Sequence, residues 1–107
     1  MQSNTLDSEI KGVSPVITNR IETILRNALA GYHAKIWIFG SRARGDHHAT
    51  SDIDLGVESL MPCPLWRCIE ALEESTVPYL VDLVELSGIS ADMASRIHHE
   101  GKILWQI

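Results

Sequence analysis

At 107 residues, 45% hydrophobic and 21% charged, the chain has the balance of one globular domain with a modest core, and this excludes a fibrous or disordered protein. A formal net charge of -5 argues against an extended nucleic acid as partner, because that kind of binding draws its affinity from covering phosphates with cations. No apolar run approaches the ~20 residues that cross a bilayer, and Met1 to Asp7 lacks the basic flank and apolar centre of a signal peptide, so a cytoplasmic protein with no membrane contact is expected.

Residues 1–13 are polar and aperiodic, and are expected as a poorly ordered leader before a domain over 14–107. Ser14-Pro15 reads as a helix start, with Ser capping free N–H groups and Pro where its missing N–H costs nothing. Ile17, Ile21, Ile24, Leu25, Ala28 and Tyr32 then fall on one helical face, predicting a helix to about Ala30 that Gly31 stops. Lys35 to Gly40 reads as a first strand and Asp52 to Val57 as a second. The stretch between them, Arg42 to Thr50, is too polar for core, and its first half suits a short helical turn. Because so short a connection leaves no room for a crossover helix, the two strands should be antiparallel.

Beyond a loop from Glu58 to Pro64, Leu65, Ile69 and Leu72 predict a helix to about Ser75. Tyr79 to Leu86 reads as a third strand, with Leu80, Asp82 and Val84 on one side and Val81, Leu83 and Glu85 on the other. Ser90 caps a last helix carrying Ile89, Met93 and Ile97 on one face, and Gly101 ends it. Lys102 to Ile107 is an apolar tail that either adds a strand or packs on the sheet. The fold class is therefore α+β (mixed α/β), a small mixed sheet of three to four strands flanked by helices.

Chemistry concentrates at Gly40-Ser41 and at Asp52-Ile53-Asp54. A strand that runs into Gly-Ser ends in a turn where backbone amides can approach a ligand closely. On a strand, Asp52 and Asp54 share a face with Cα atoms about 6.5 Å apart. Their oxygens can converge on two Mg²⁺ ions about 3.5–4 Å apart, the spacing that clamps an in-line phosphoryl or nucleotidyl transfer. Asp82, a charge in the middle of an apolar strand, needs a partner or a role.

Other polar groups read more plainly. Arg42 and Arg44 either steer phosphates or belong to a solvated turn, and Asp46 and Ser51 suit turn or capping positions, with Ser51 also placed to orient the dyad beside it. Cys63 and Cys68 have no zinc-ligand spacing and are expected as plain thiols. His47-His48 and His98-His99 are adjacent pairs that point apart, which favours surface or helix-end imidazoles over metal ligands. Trp37 and Trp66 suit core or partner-facing positions.

Taken in order, Gly40-Ser41-Arg42-Ala43-Arg44-Gly45, Ser51-Asp52-Ile53-Asp54-Leu55 and Val81-Asp82-Leu83-Val84 resemble the nucleotidyltransferase superfamily that includes DNA polymerase beta, and within it the minimal nucleotidyltransferase (MNT) group. The likeness runs from the first helix to Glu100-Gly101-Lys102-Ile103-Leu104-Trp105. It implies the polymerase beta-like nucleotidyltransferase fold and an Mg²⁺-dependent transfer of NMP, AMP from ATP in the first instance, to a hydroxyl. By this resemblance Gly40 and Ser41 would hold terminal phosphates; from their places beside these groups, Arg42, Arg44 and Ser51 are expected as further nucleotide-binding residues. Asp52 and Asp54 would bind two Mg²⁺ ions, and Asp82 would bind the catalytic ion and help deprotonate the acceptor. Many members of the group act as antitoxins of a HEPN-domain toxin, some by transferring AMP to a toxin tyrosine, so a HEPN partner is implied. Two other functions compete: a small-molecule nucleotidyltransferase of the aminoglycoside-modifying kind, and an antitoxin that neutralises by binding alone. With nearly every residue assigned to the nucleotide-binding core, the acceptor is expected on another protein.

Overall fold

Four strands form one sheet in the order β3-β2-β1-β4, built from β1 (Lys35–Phe39), β2 (Ile53–Glu58), β3 (Val81–Glu85) and β4 (Lys102–Gln106). The computed structural model describes residues 9–107, so positions 1–8 of the expected leader lie outside the described residues. Four helices accompany the sheet: α1 (Pro15–Ala28), the single turn α2 (Ser41–Arg44), α3 (Leu65–Glu73) and α4 (Ala91–Glu100). β1 runs antiparallel to both β2 and β4, as the short β1–β2 connection requires, while β2 and β3 are parallel and joined through α3. The apolar tail thus becomes an edge strand beside β1. Among the described residues no helix is long and apolar enough to cross a membrane.

Alternation along the strands divides the sheet into two faces. Ile36, Ile38, Ile53, Leu55, Val57 and Leu83 point to one side and pack with Ile21, Leu25 and Leu29 from the α1 region and Cys68 and Leu72 from α3. Ser14 starts α1 as predicted, its Oγ accepting the Ile17 N–H at 3.3 Å. The helix closes at Ala28, and Tyr32, expected on the inward face, lies beyond it and exposed. On α3 the buried pair is Cys68 and Leu72, one turn apart; Ile69, about 100° further round, faces solvent where the sequence pattern placed it inward. Burial, with Cys63 close by, pushes the Cys68 thiol up to about 11, and both cysteines are free. The core also reaches back before α1: Ile10 is buried within it, and the Val13 N–H donates to the Ile10 carbonyl at 3.0 Å.

On the opposite face, α4 and the 3₁₀ turn Leu86–Gly88 cover the middle of the sheet. Leu86, expected to end the third strand, belongs to that turn and is buried, and a Cβ on Gly56 would come within 2.7 Å of its Cδ1. Ile97 is the buried residue of α4; Met93, expected beside it, is exposed. At the last turn of α4, His98 Nε2 donates to Glu58 Oε2 at 2.8 Å, and the Trp37 indole donates to Glu58 Oε1 at 3.0 Å. The Trp37 and His98 rings meet edge to face, 5.0 Å between centroids. Burial works to raise the Glu58 carboxyl, but the bonds from Trp37 and His98, with the charges of His98 and Lys35, hold it below its usual value of 4.5. A depressed carboxylate stabilises the fold above its ordinary pKa, and that stability is lost as pH falls through the depressed value. Glu58→Gln should therefore lower stability by about 0.5–1 kcal/mol at neutral pH and by progressively less in acid, which paired urea titrations at several pH values would measure.

Candidate functional site

One end of the sheet gathers the residues singled out from the sequence. β1 stops at Phe39, and Gly40 follows with φ 75° and ψ -155°, a backbone region that only glycine enters without strain. Phe39 is paired with Asp54 across the antiparallel β1–β2 ladder, and Asp54 with Asp82 across the parallel β2–β3 ladder. Adjacent strands lie about 4.8 Å apart, so Asp54 and Asp82 are side-by-side neighbours on one face of the sheet. Asp52 sits one residue ahead of β2, two positions from Asp54 and directed to the same side. Next to these carboxylates the chain turns into α2, which starts at Ser41 and leaves its first amides without intrahelical acceptors. A side chain at Gly40 would run into the Asp54 carboxylate, so the turn and the acid are packed directly against each other.

The electrostatics follow from this crowding. Burial pushes the Asp54 carboxyl up from its ordinary value, the Asp82 and Asp52 charges push it further, and only Arg44 opposes them. Asp54 is half-buried, whereas Asp52 and Asp82 are exposed. A half-buried carboxylate pressed by two neighbouring acids is the hard-oxygen donor set that a divalent cation such as Mg²⁺ relieves. The fit lies in donor chemistry, charge and strand register: among the described residues, no three Asp, Glu, His or Cys side chains close into one ion-sized cage.

Arg44 and Arg42 part company. Arg44 is exposed at the site's edge, 3.2 Å from Asp46 and 3.6 Å from Glu100, and its charge reaches Asp54. Arg42, expected on the nucleotide side, is instead 1% exposed and turned into the protein. Its Nε and Nη2 donate to the Ser51 carbonyl (3.1 and 3.0 Å), Nη2 also to His48 and Ala49 (3.3 and 3.2 Å), and Nη1 to Lys11 (2.7 Å). The polar stretch beginning at Arg42 thus starts with two buried residues, Arg42 and Ala43, because backbone carbonyls satisfy the guanidinium. Ser51 is also engaged by the loop: its Oγ accepts the His48 N–H at 2.7 Å, and its own N–H donates to the His48 carbonyl at 3.1 Å. Lys11 and Tyr79, whose ring lies 4.9 Å under the Arg42 guanidinium, were not singled out from the sequence, and His48 was read only for its imidazole, since the groups used are mainly backbone carbonyls that residue type does not encode.

A cavity of about 680 Å³ opens at the other end of the sheet, lined by Lys35, Glu58, Leu60, Leu86, His98 and Ile107 among others. Lys35 and Glu58 pair at the far end of the ladder from Phe39 and Asp54, so this cavity is separate from the carboxylates.

Comparison with known proteins bears on the domain as a whole. Residues 19–107 match the family described as polymerase beta, nucleotidyltransferase. A Haemophilus influenzae protein named probable protein adenylyltransferase MntA is 36% identical over 75 residues, covering 67% of this chain and 64% of that protein, so the chain spans a little under two thirds of that relative's length. A crystal structure of a toxin–antitoxin with AMP-PNP superposes with a TM-score of 0.67 at 31% identity, covering 81% of this chain and 71% of that one. A tri-AMPylated Shewanella oneidensis HEPN toxin in complex with an MNT antitoxin gives a TM-score of 0.62 at 27% identity, covering 84% of this chain and 70% of that one. The matched range includes the Gly-Ser turn, the paired aspartates and the strand Asp, and the chain belongs to the polymerase beta nucleotidyltransferase family.

Proposed function

We propose that the protein is a metal-dependent nucleotidyltransferase that transfers AMP from ATP to a tyrosine hydroxyl of a HEPN-domain toxin, and so acts as that toxin's antitoxin. The observation that carries this reading is the in-register pair Asp54–Asp82 set against Gly40, with Asp52 on the same side. The names of the relatives support the acceptor and the nucleotide: one is a protein adenylyltransferase, and another is an MNT antitoxin solved with an AMPylated HEPN toxin.

In this reaction the acceptor oxygen bonds to the α-phosphorus of ATP, the bond to the β-phosphate oxygen breaks, and pyrophosphate leaves. Asp52 and Asp54 would hold two Mg²⁺ ions and Asp82 one of them. Bound there, the ions would neutralise the crowded carboxylates and stabilise charge on the attacking and leaving oxygens. Asp82, exposed on the edge strand β3, is accessible to an acceptor from solvent and takes the hydroxyl proton at its carboxylate. The amides after Gly40 bind the terminal phosphates, and Arg44, at the rim, adds positive charge to that side.

The test is to incubate the chain with ATP, Mg²⁺ and a HEPN-domain toxin. The expected result is a partner that gains the mass of AMP on a tyrosine and loses its toxicity. Neutralisation by an Asp52→Asn, Asp54→Asn double variant, without any mass gain, would replace this reading with binding alone. Label transferred to aminoglycosides but not to the partner would replace it with the small-molecule reaction.

A further inference from the structure

We infer that Arg42 is a positioning residue that fixes Asp52 against the Gly40-Ser41 turn, rather than a ligand of the nucleotide phosphates. The inference rests on the metal-site reading above.

Arg42 is the second residue of α2, so its backbone moves with the Gly-Ser turn. Its side chain leaves that turn and ends on three other parts of the chain. Two of its nitrogens donate to the carbonyl of Ser51, the residue immediately before Asp52. Bonds to His48 and Ala49 hold the rest of the loop, and the bond to Lys11 ties in the segment before α1. Tyr79 lies under the guanidinium plane two residues before Val81, where β3 begins on its way to Asp82. One planar group therefore spans the phosphate turn, the loop entering the dyad and the approach to the third carboxylate.

The geometry is incompatible with a phosphate-binding arginine. Phosphate recognition needs an open guanidinium edge, and here the group is buried with Nε and both Nη atoms committed to carbonyls. Burying a full charge is tolerated because carbonyl dipoles surround it.

Asp52 depends on this clamp more than its neighbours do. Asp54 and Asp82 lie within strands and are held by ladder bonds, whereas Asp52 precedes β2 and follows a loop braced internally by the bonds between His48 and Ser51. Lysine keeps the charge but is a point donor on a flexible stem, and it cannot span Ser51, His48 and Lys11 together. Arg42→Lys should thus loosen Asp52 and leave Asp54 and Asp82 in place.

The experiment is Mn²⁺ binding to the full chain, followed by electron paramagnetic resonance without nucleotide, in wild type, Arg42→Lys and Asp54→Asn. Wild type is expected to bind Mn²⁺, Asp54→Asn to lose the site, and Arg42→Lys to bind about tenfold or more weakly while still melting cooperatively. Unchanged Mn²⁺ affinity in Arg42→Lys overturns the inference, and if a separate ATP titration of the same variant then shows that ATP affinity alone falls, Arg42 is a phosphate ligand after all. Wild type that binds no Mn²⁺ at a site sensitive to Asp54→Asn overturns the metal reading instead, which keeps the two failures distinct. Should Arg42→Lys not fold, Tyr79→Leu carries the test, because it removes the ring beneath the guanidinium and none of the carbonyl partners. A weaker Mn²⁺ site in that variant supports positioning, and an unaltered one overturns it.

Discussion

Asp54→Asn is expected to abolish transfer while making the metal-free protein more stable. The loss of activity should be on the order of 1000-fold, ~4 kcal/mol in the barrier, because Asp54 is the central member of the carboxylate group and lies against the phosphate turn. The gain in stability has an electrostatic origin: burial and the charges of Asp82 and Asp52 make the ionised Asp54 carboxylate unfavourable in the folded state. Its folded pKa lies above its unfolded one, so between the two the native state holds more proton than the unfolded state. Stability then falls as pH rises through that window, and the penalty is complete above the raised value. Asparagine keeps the shape and removes the charge. In the presence of EDTA, its melting temperature at neutral pH should exceed wild type by about 2–5 °C, the gap closing as pH falls towards the ordinary carboxylate range. A variant that is inactive and also less stable at neutral pH would show that native contacts hold Asp54 in place and outweigh the repulsion between carboxylates.

The carboxylate end was readable because its logic is carried by side-chain type and spacing. Gly-Ser closing an apolar run, acids two residues apart and an aspartate inside an apolar strand each break the pattern of ordinary core, and each falls at the same end of the sheet. The antiparallel β1–β2 pairing followed from the length of the connection, and the in-register neighbours Asp54 and Asp82 then required only that β3 lie parallel beside β2. What spacing did not disclose were interactions made to backbone. Arg42 reads as a surface charge in a polar stretch, yet it is buried because four carbonyls from Lys11, His48, Ala49 and Ser51 converge on it. Ile10 reads as an isolated apolar residue in a polar leader, yet it enters the core. On α3, an apolar stripe at Leu65, Ile69 and Leu72 competes with one through Cys68 and Leu72, and only packing against α1 decides in favour of the second.

Gly40→Ala should damage transfer, though less than loss of Asp54 does, and it should also destabilise the fold, for two separable reasons. The backbone at Gly40 sits at φ 75° and ψ -155°, where an alanine is strained whatever surrounds it. Independently, the new Cβ would meet Oδ2 of Asp54, so the acid must swing away from the turn or the turn must open. Together these should cost about 2–4 kcal/mol of stability and on the order of 100-fold in transfer rate. A double-mutant cycle with Asp54→Ala resolves the two contributions. Truncating Asp54 removes the obstacle but not the backbone strain, so Gly40→Ala should cost less in that background than in wild type, and the difference measures the close approach of turn and carboxylate. Equal costs in both backgrounds would mean that Asp54 can rotate aside freely, and the direct packing of acid on turn would then play no part in holding the site's geometry.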